Sequence, residues 1–261
     1  MELLNKTMNK NNMIDGDVFA RLAKKYNLYY VATHEIKEHL ETIKNLPGRV
    51  NVLSANSDGG IPKPGNTVNW FDFVWDNIPS NVNVWFAQNA DVYDARIIPI
   101  PIGLECDRWH APSKKKDAML SVGNVSRDKL IYLNHTTRND ARWYCYNEYE
   151  NKSWVTVEKM DKDFNHYFKQ LAQHKFTFSP DGNGYDCCRT WEALYFGCIP
   201  IVQRHRFTEE FSEKLPILVV DDYTNITEDW LNEKYVKLYG KFDWHALTVE
   251  YWDNLIGEAI K

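Results

Sequence analysis

The sequence predicts an α/β protein made of two successive doubly wound units with a cleft between them. Three observations carry this reading. Short apolar, aromatic and β-branched runs alternate with stretches whose apolar residues recur at helical spacing, the signature of parallel βαβ units. Several of those runs end in turn-forming strings, among them SANSDGG (54–60) and SPDGNG (179–184). The alternation breaks once, at APSKKKD (111–117), and then restarts. With 261 residues and 44% hydrophobic content, the chain is long enough for two such units. The expected division is 1–112, 113–243, and a C-terminal helix over 244–261 that packs back on the first unit.

The first fifteen residues read as a loose arm. Over 17–26, Val18, Phe19, Leu22 and Ala23 share a helical face. LYYVAT (28–33) is a strand, and 35–46 is a helix with Ile36, Leu40 and Ile43 on one side, stopped by Pro47-Gly48. A strand over 50–54, a short helix over 70–77, and strands over 83–87 (NVWFA) and 97–100 complete the first unit. After 111–117, taken as a linker, strands are expected at 119–123, 129–134 and 154–157. Helices are expected at 138–149 and at 161–173, the latter with Phe164, Tyr167, Phe168 and Leu171 on one face. The stretch 174–202 reads strand, loop, helix, strand: 175–178, then 179–184, then a helix capped by Asp186 and stopped by Gly197, then 198–202. A short helix over 207–214, a strand over 217–220, a helix capped by Thr227 and an amphipathic tail over 244–260 follow.

Composition narrows the function classes. The net charge is −5 and there is no basic tract, so no nucleic-acid partner is expected. No apolar run approaches the ~18 residues that would span a bilayer, and the first residues have no apolar signal core, which favours a soluble, cytoplasmic protein. The five Cys are odd in number and lack a CxxC spacing, which fits reduced thiols. The aromatic content of 14% suits either sugar stacking or an aromatic core; Trp70, Trp75, Trp85 and Phe86 are read mainly as core.

The stretch 174–202 carries the chemistry. A Gly-containing loop opening a helix presents free N–H groups and the positive end of the helix dipole to an anion. Arg189 lies in the first turn of that helix, and Glu192 one turn on along the same face. A cation at a helix N-terminus suits a phosphate, and a carboxylate one turn deeper suits a pair of sugar hydroxyls. Together they suggest a nucleotide-sugar site. The bland alternatives are a salt bridge to Asp186 or Glu192 on its own helix for Arg189, and a purely helical surface role for Glu192.

The string FSPDGNGYDCCRTWEALYFGCIPIV resembles the donor-binding region of the exostosin-like glycosyltransferases, through Phe176, Pro180, Gly182, Gly184, Arg189, Glu192, Ala193, Leu194, Gly197, Cys198, Ile199 and Pro200. The first unit is similar to short soluble viral and bacterial relatives through SANSDGG, WFAQN and PIPIGLE, including viral xylosyltransferase-like members. The resemblance implies a GT-B fold: two Rossmann-like domains, the second holding a UDP-sugar, the first a glycan acceptor, with no obligatory metal or other cofactor. It implies inverting transfer, with UDP-xylose as one donor. Arg189 would meet the diphosphate, Glu192 the ribose hydroxyls, and Ser179, Pro180, Asp181, Gly182 and Gly184 the sugar or phosphates. Arg138 or Arg142 would add a second cation. Inversion needs a base on the acceptor side. Asp58 is the first choice, with an Asx turn as its alternative. His34, with a helix N-cap as its alternative, and Glu105, with a solvated loop carboxylate as its alternative, follow. Two other readings stay open: a fucosyltransferase-type enzyme using GDP-fucose, and a non-catalytic carbohydrate- or nucleotide-binding module. The sequence leaves the oligomeric state undefined.

Overall fold

The computed structural model describes residues 8–61, 78–105, 112–159, 163–240 and 243–261. The helix expected over 70–77, with Trp70 and Trp75, lies outside them. Two parallel sheets with helices around them form a mixed α/β structure of the Rossmann-like kind. The first sheet runs in chain order: β1 (Tyr29–Ala32), β2 (Val50–Ala55), β3 (Val82–Gln88) and β4 (Ile97–Ile100). Helix α1 (Gly16–Lys25) precedes it, and α2 (Ile36–Asn45) joins β1 to β2. The second sheet has the order β6-β5-β7-β8-β9, from β5 (Lys129–Leu133), β6 (Val155–Val157), β7 (His174–Phe178), β8 (Ile199–Gln203) and β9 (Leu218–Val220). Its helices are α4 (Asp140–Tyr149), α5 (Phe164–Gln173), α6 (Cys188–Tyr195), α7 (Arg206–Ser212) and α8 (Glu228–Leu238), after α3 (Pro112–Ser121) and before the C-terminal α9 (Val249–Ala259). The strand order reverses direction between β5 and β7. Ligands of such sheets bind beyond the carboxyl ends of the strands at this switch point. The reversal that a doubly wound sheet requires is thus seen in the second sheet, whereas the first runs in sequence.

Strand alternation explains the packing. Val52, Trp85 and Ala87 face one side of the first sheet, and Leu53, Val84 and Phe86 face the other. Ile131, Leu133, Phe176, Phe178, Ile199 and Ile201 face α4 and α8. The remaining faces meet in one apolar cluster. It contains Val18, Phe19 and Leu22 of α1, Phe168 of α5, Trp191 and Leu194 of α6, and Trp252 and Ile256 of α9. Trp85 and Phe86 are fully buried, so their role is core packing. Among the described residues no helix is long and apolar enough to cross a membrane.

Three local expectations are corrected. The stretch 111–117, read as a linker, is helical from Pro112, and the strand expected at 119–123 is the end of that same helix α3. Ala118, Met119 and Leu120 are good helix formers, and Ala118 and Met119 are buried in the shared cluster; a short apolar run does not distinguish the two states. Residues 8–15 are not a loose arm: Met13 and Ile14 are fully buried, and Asp15 caps α1 by accepting from the Val18 N–H at 2.8 Å. Asp186 does not cap α6. Cys187 holds that position without a side-chain bond, because the Asp186 carboxylate is used elsewhere.

Tyr195 ties the chain's two ends to α6. Its hydroxyl accepts from the Ile14 N–H at 2.8 Å and donates to the Leu247 carbonyl at 2.7 Å, all buried. Tyr195→Phe leaves two buried backbone groups unsatisfied and should lower unfolding stability by about 1–3 kcal/mol in urea titrations.

Candidate functional site

The carboxyl ends of both sheets enclose a cavity of about 430 Å³. From the first sheet come Asp58, on the loop after β2, and Ile102 and Glu105, after β4; from the second come Asn134, Thr136, Arg138 and Asn139 after β5, and Gly182, Asn183, Gly184, the run from Asp186 to Arg189, and Glu192 after β7. Lys115 of α3 and Phe164 and Tyr167 of α5 close one end. The second-sheet contribution therefore comes from the two loops at the switch point.

Asn89 joins the two sides. It sits at the end of β3 with a left-handed φ of 54°. Its amide nitrogen donates to the carbonyls of Ser57, Asp58 and Gly59, and its oxygen accepts from the Asp186 N–H at 2.7 Å. Gln88 assists, donating to the Ser57 carbonyl and accepting from the Asn56 N–H, both at 2.9 Å. Here Gly184 must be glycine: a Cβ would lie 2.6 Å from the Asp58 carbonyl oxygen. Asn183 donates to the Asp58 carboxylate at 3.2 Å.

The loop after β7 is held from α4. Asn139 donates to the carbonyls of Asp181 and Gly182 at 2.9 and 3.0 Å, and Arg142 Nε donates to the Asp181 carbonyl at 3.0 Å. A Cβ on Gly182 would lie 2.7 Å from an Arg142 nitrogen. Arg189 lines the same wall, and among the described residues its Nε is buried without a hydrogen-bond partner. Neither helix neighbour pairs with it. Asp186 accepts from the Ile102 N–H at 2.7 Å and from the Trp191 indole at 2.9 Å, and Glu192 accepts from the Tyr167 hydroxyl at 2.9 Å and faces Lys115 at 3.4 Å. Arg138, Arg142 and Arg189 thus put three guanidinium groups on one cavity. That wall can receive a dianion through charge-assisted hydrogen bonds.

Burial pushes the Asp186 carboxyl up to about 7, against the downward pull of the Ile102 and Trp191 donors. His135, beside the arginines, is driven down to about 3 by burial and by the Arg189 charge, so it stays neutral.

The remaining sequence candidates lie apart. Ser179 is buried, its hydroxyl bonded to Thr190 at 2.9 Å, and Pro180 is buried beside it. His34 lies in a short 3₁₀ turn after β1, 3.9 Å from Glu35, and does not line the cavity. Asp181 points to His205 Nε2 at 2.8 Å, while His205 Nδ1 lies 3.4 Å from Asp91. His205 therefore bridges the loops that follow β3 and β7. Sequence reading also missed Lys115, Asn139, Phe164 and Tyr167 as cavity residues. It passed over two Asp-x-Asp strings as well, Asp15-Gly16-Asp17 and Asp161-Lys162-Asp163. Asp15 and Asp163 each cap a helix.

Two parallel sheets and a cavity between their strand ends define a mixed α/β protein of the Rossmann-like class. Residues 119–224, less than half of the chain, match the family model of the RXYLT1 C-terminal domain, a xylosyltransferase-like family related to the exostosin-like glycosyltransferases. The match covers β5 to β9 and both switch-point loops, and it points to glycosyltransferase-type function. No curated protein matches the chain.

The His205 bridge gives a pH prediction. Burial opposes its charge, but the hydrogen bonds and charges of Asp181 and Asp91 outweigh burial and raise its pKa to about 9. Its contribution to stability is present below the unfolded value of about 6.5 and is lost as pH rises through about 9. Melting temperature should fall over that window, and His205→Gln should flatten the fall.

Proposed function

We propose that the protein is an inverting glycosyltransferase of GT-B architecture. In this reading 113–243 binds a UDP-sugar and 1–112 presents the acceptor hydroxyl of a glycan. The observation that carries it is Arg189: a cavity-lining guanidinium with a buried, unpartnered Nε, on the helix that follows the switch-point loop. A diphosphate supplies the missing acceptor. Arg142 and Arg138 take the remaining phosphate oxygens, and the backbone of Gly182 and Gly184 lets the sugar come close. Glu192 accepts the ribose hydroxyls.

Transfer then needs one base. Asp58 lines the same cavity from the first sheet, exposed and fixed through its backbone by Asn89. It removes the proton of the acceptor hydroxyl as that oxygen attacks the anomeric carbon; the bond to the diphosphate breaks on the opposite face. The leaving electrons go to a phosphate oxygen whose charge the arginines meet, so the reaction needs no metal. Glu105 is engaged by Lys115 at 2.5 Å, which leaves its carboxylate less available to an acceptor hydroxyl. The xylosyltransferase-like match makes UDP-xylose the first donor to test.

In calorimetric titrations, UDP should bind and GDP should not. Arg189→Ala should weaken UDP at least about tenfold. Wild-type affinity in Arg189→Ala, or no nucleotide binding at all, overturns the reading. Asp58→Asn should keep UDP binding while transfer from UDP-xylose falls by about 10²–10⁴-fold. EDTA should leave transfer intact; complete loss reversed by a divalent ion overturns the metal-free step.

A further inference from the structure

Lys115 is placed by α3, the segment that crosses from the first sheet to the second. Its ammonium lies 2.5 Å from Glu105 Oε2, after β4, and 3.4 Å from Glu192 Oε1, on α6. It also sits 5.1 Å from the centre of the Phe164 ring. The three side chains are 20%, 19% and 7% exposed, so solvent screens these charges little. On the other side of Glu192, the Tyr167 hydroxyl donates to Oε2 at 2.9 Å. The carboxylate is thus fixed by an ammonium on one oxygen and a neutral donor on the other. Each oxygen accepts about two hydrogen bonds, so one acceptor position remains on each. Two adjacent free positions suit a vicinal diol.

The charged and titratable groups around this point are Glu105, Cys188, Arg189, Glu192, Tyr167 and, beyond Tyr167, Tyr132. Burial opposes the charge of Lys115, but Glu192 and Glu105 outweigh it and raise its pKa, so it is cationic. Burial drives the Tyr167 hydroxyl up, with Glu192 adding to it, so it remains a donor. Without Lys115, Glu105 and Glu192 would face each other in a poorly hydrated pocket with one counter-charge fewer, and Glu192 would lose the ammonium that fixes its Oε1.

We propose that Lys115 is a positioning cation of the cavity, bridging Glu105 and Glu192 as their shared counter-charge and so presenting Glu192 to the 2′,3′-diol of a ribonucleotide. The ribose half of this statement rests on the proposed function; the ionic half does not.

Two measurements test it on the full chain. The first is melting temperature between pH 5 and 8 without nucleotide. In Lys115→Met the two carboxylates face each other without their shared ammonium, so the variant is penalised where they are charged and spared where they are protonated. The deficit of the variant relative to wild type should widen with pH, and Lys115→Arg should narrow it. If Lys115→Met does not fold, the double variant Lys115→Met with Glu105→Gln leaves Glu192 alone unpaired and should behave in the same direction. A deficit independent of pH overturns the proposal.

The second measurement is the affinity for UDP over 2′-deoxy-UDP at pH 7.5. Wild type should prefer UDP about tenfold, one charged hydrogen bond, and Lys115→Met should prefer it less than about twofold. An unchanged preference overturns the positioning role. If wild type binds neither nucleotide while the melting deficit widens with pH, the nucleotide reading of the site fails and the ionic role of Lys115 stands.

Discussion

The cavity depends on one buried carboxamide. Asn89 is 1% exposed, and its amide satisfies the carbonyls of the 57–59 turn while its oxygen takes the Asp186 N–H. One side chain therefore fixes the backbone that carries Asp58 and the residue that precedes α6. Neither task can be done by a hydrophobic side chain, because the turn would be left with carbonyls buried and unpaired. The left-handed backbone at Asn89 is tolerated by asparagine better than by most residues, so the same residue suits both the bend and the bonding. The close approach of Gly184 to Asp58 and the bond from Asn183 follow from this anchoring.

Around that anchor the cavity charges divide into two groups. Glu105 and Glu192 share Lys115, and Asp186 is held by N–H donors. Arg142 spends part of its guanidinium on the Asp181 carbonyl and the Thr136 hydroxyl. Arg189 has no such neighbour at its Nε. The acids of this cavity are compensated within the protein, whereas its arginines retain capacity for a ligand anion. That asymmetry would be invisible in a net charge of −5 for the chain.

The parts of this arrangement that were legible in the sequence are the local ones. The α6 helix with Arg189 and Glu192, the turn composition of 179–184, and the strands β2 to β5 follow from periodicity and breakers, which need only neighbouring residues. Asp58 and Glu105 were found because strand ends face clefts in parallel sheets. What escaped was long-range. Lys115 acquires its meaning from Glu192, 77 residues away, and in the sequence it is one lysine of a charged run. Asp186 looked like a cap because it precedes a helix, but it serves an N–H 84 positions earlier. His205 gave no sign that two carboxylates from separate loops would enclose it. The helical end of α3 was missed for another reason: a five-residue apolar run fits a strand as well as a helix until its burial partners are known.

The apolar cluster that gathers α1, α6 and α9 has a bearing on how such a chain can evolve. Each sheet has a cluster of its own on one face, but on the other the two share one: Phe19 meets Trp252 at a ring separation of 5.7 Å, and Trp191 and Phe168 lie in the same cluster as Leu53 and Phe86. A half exchanged for that of another protein would have to bring a matching apolar face as well as its loops. Change in the cavity is therefore easier through single side chains of the strand-end loops than through wholesale replacement of a half.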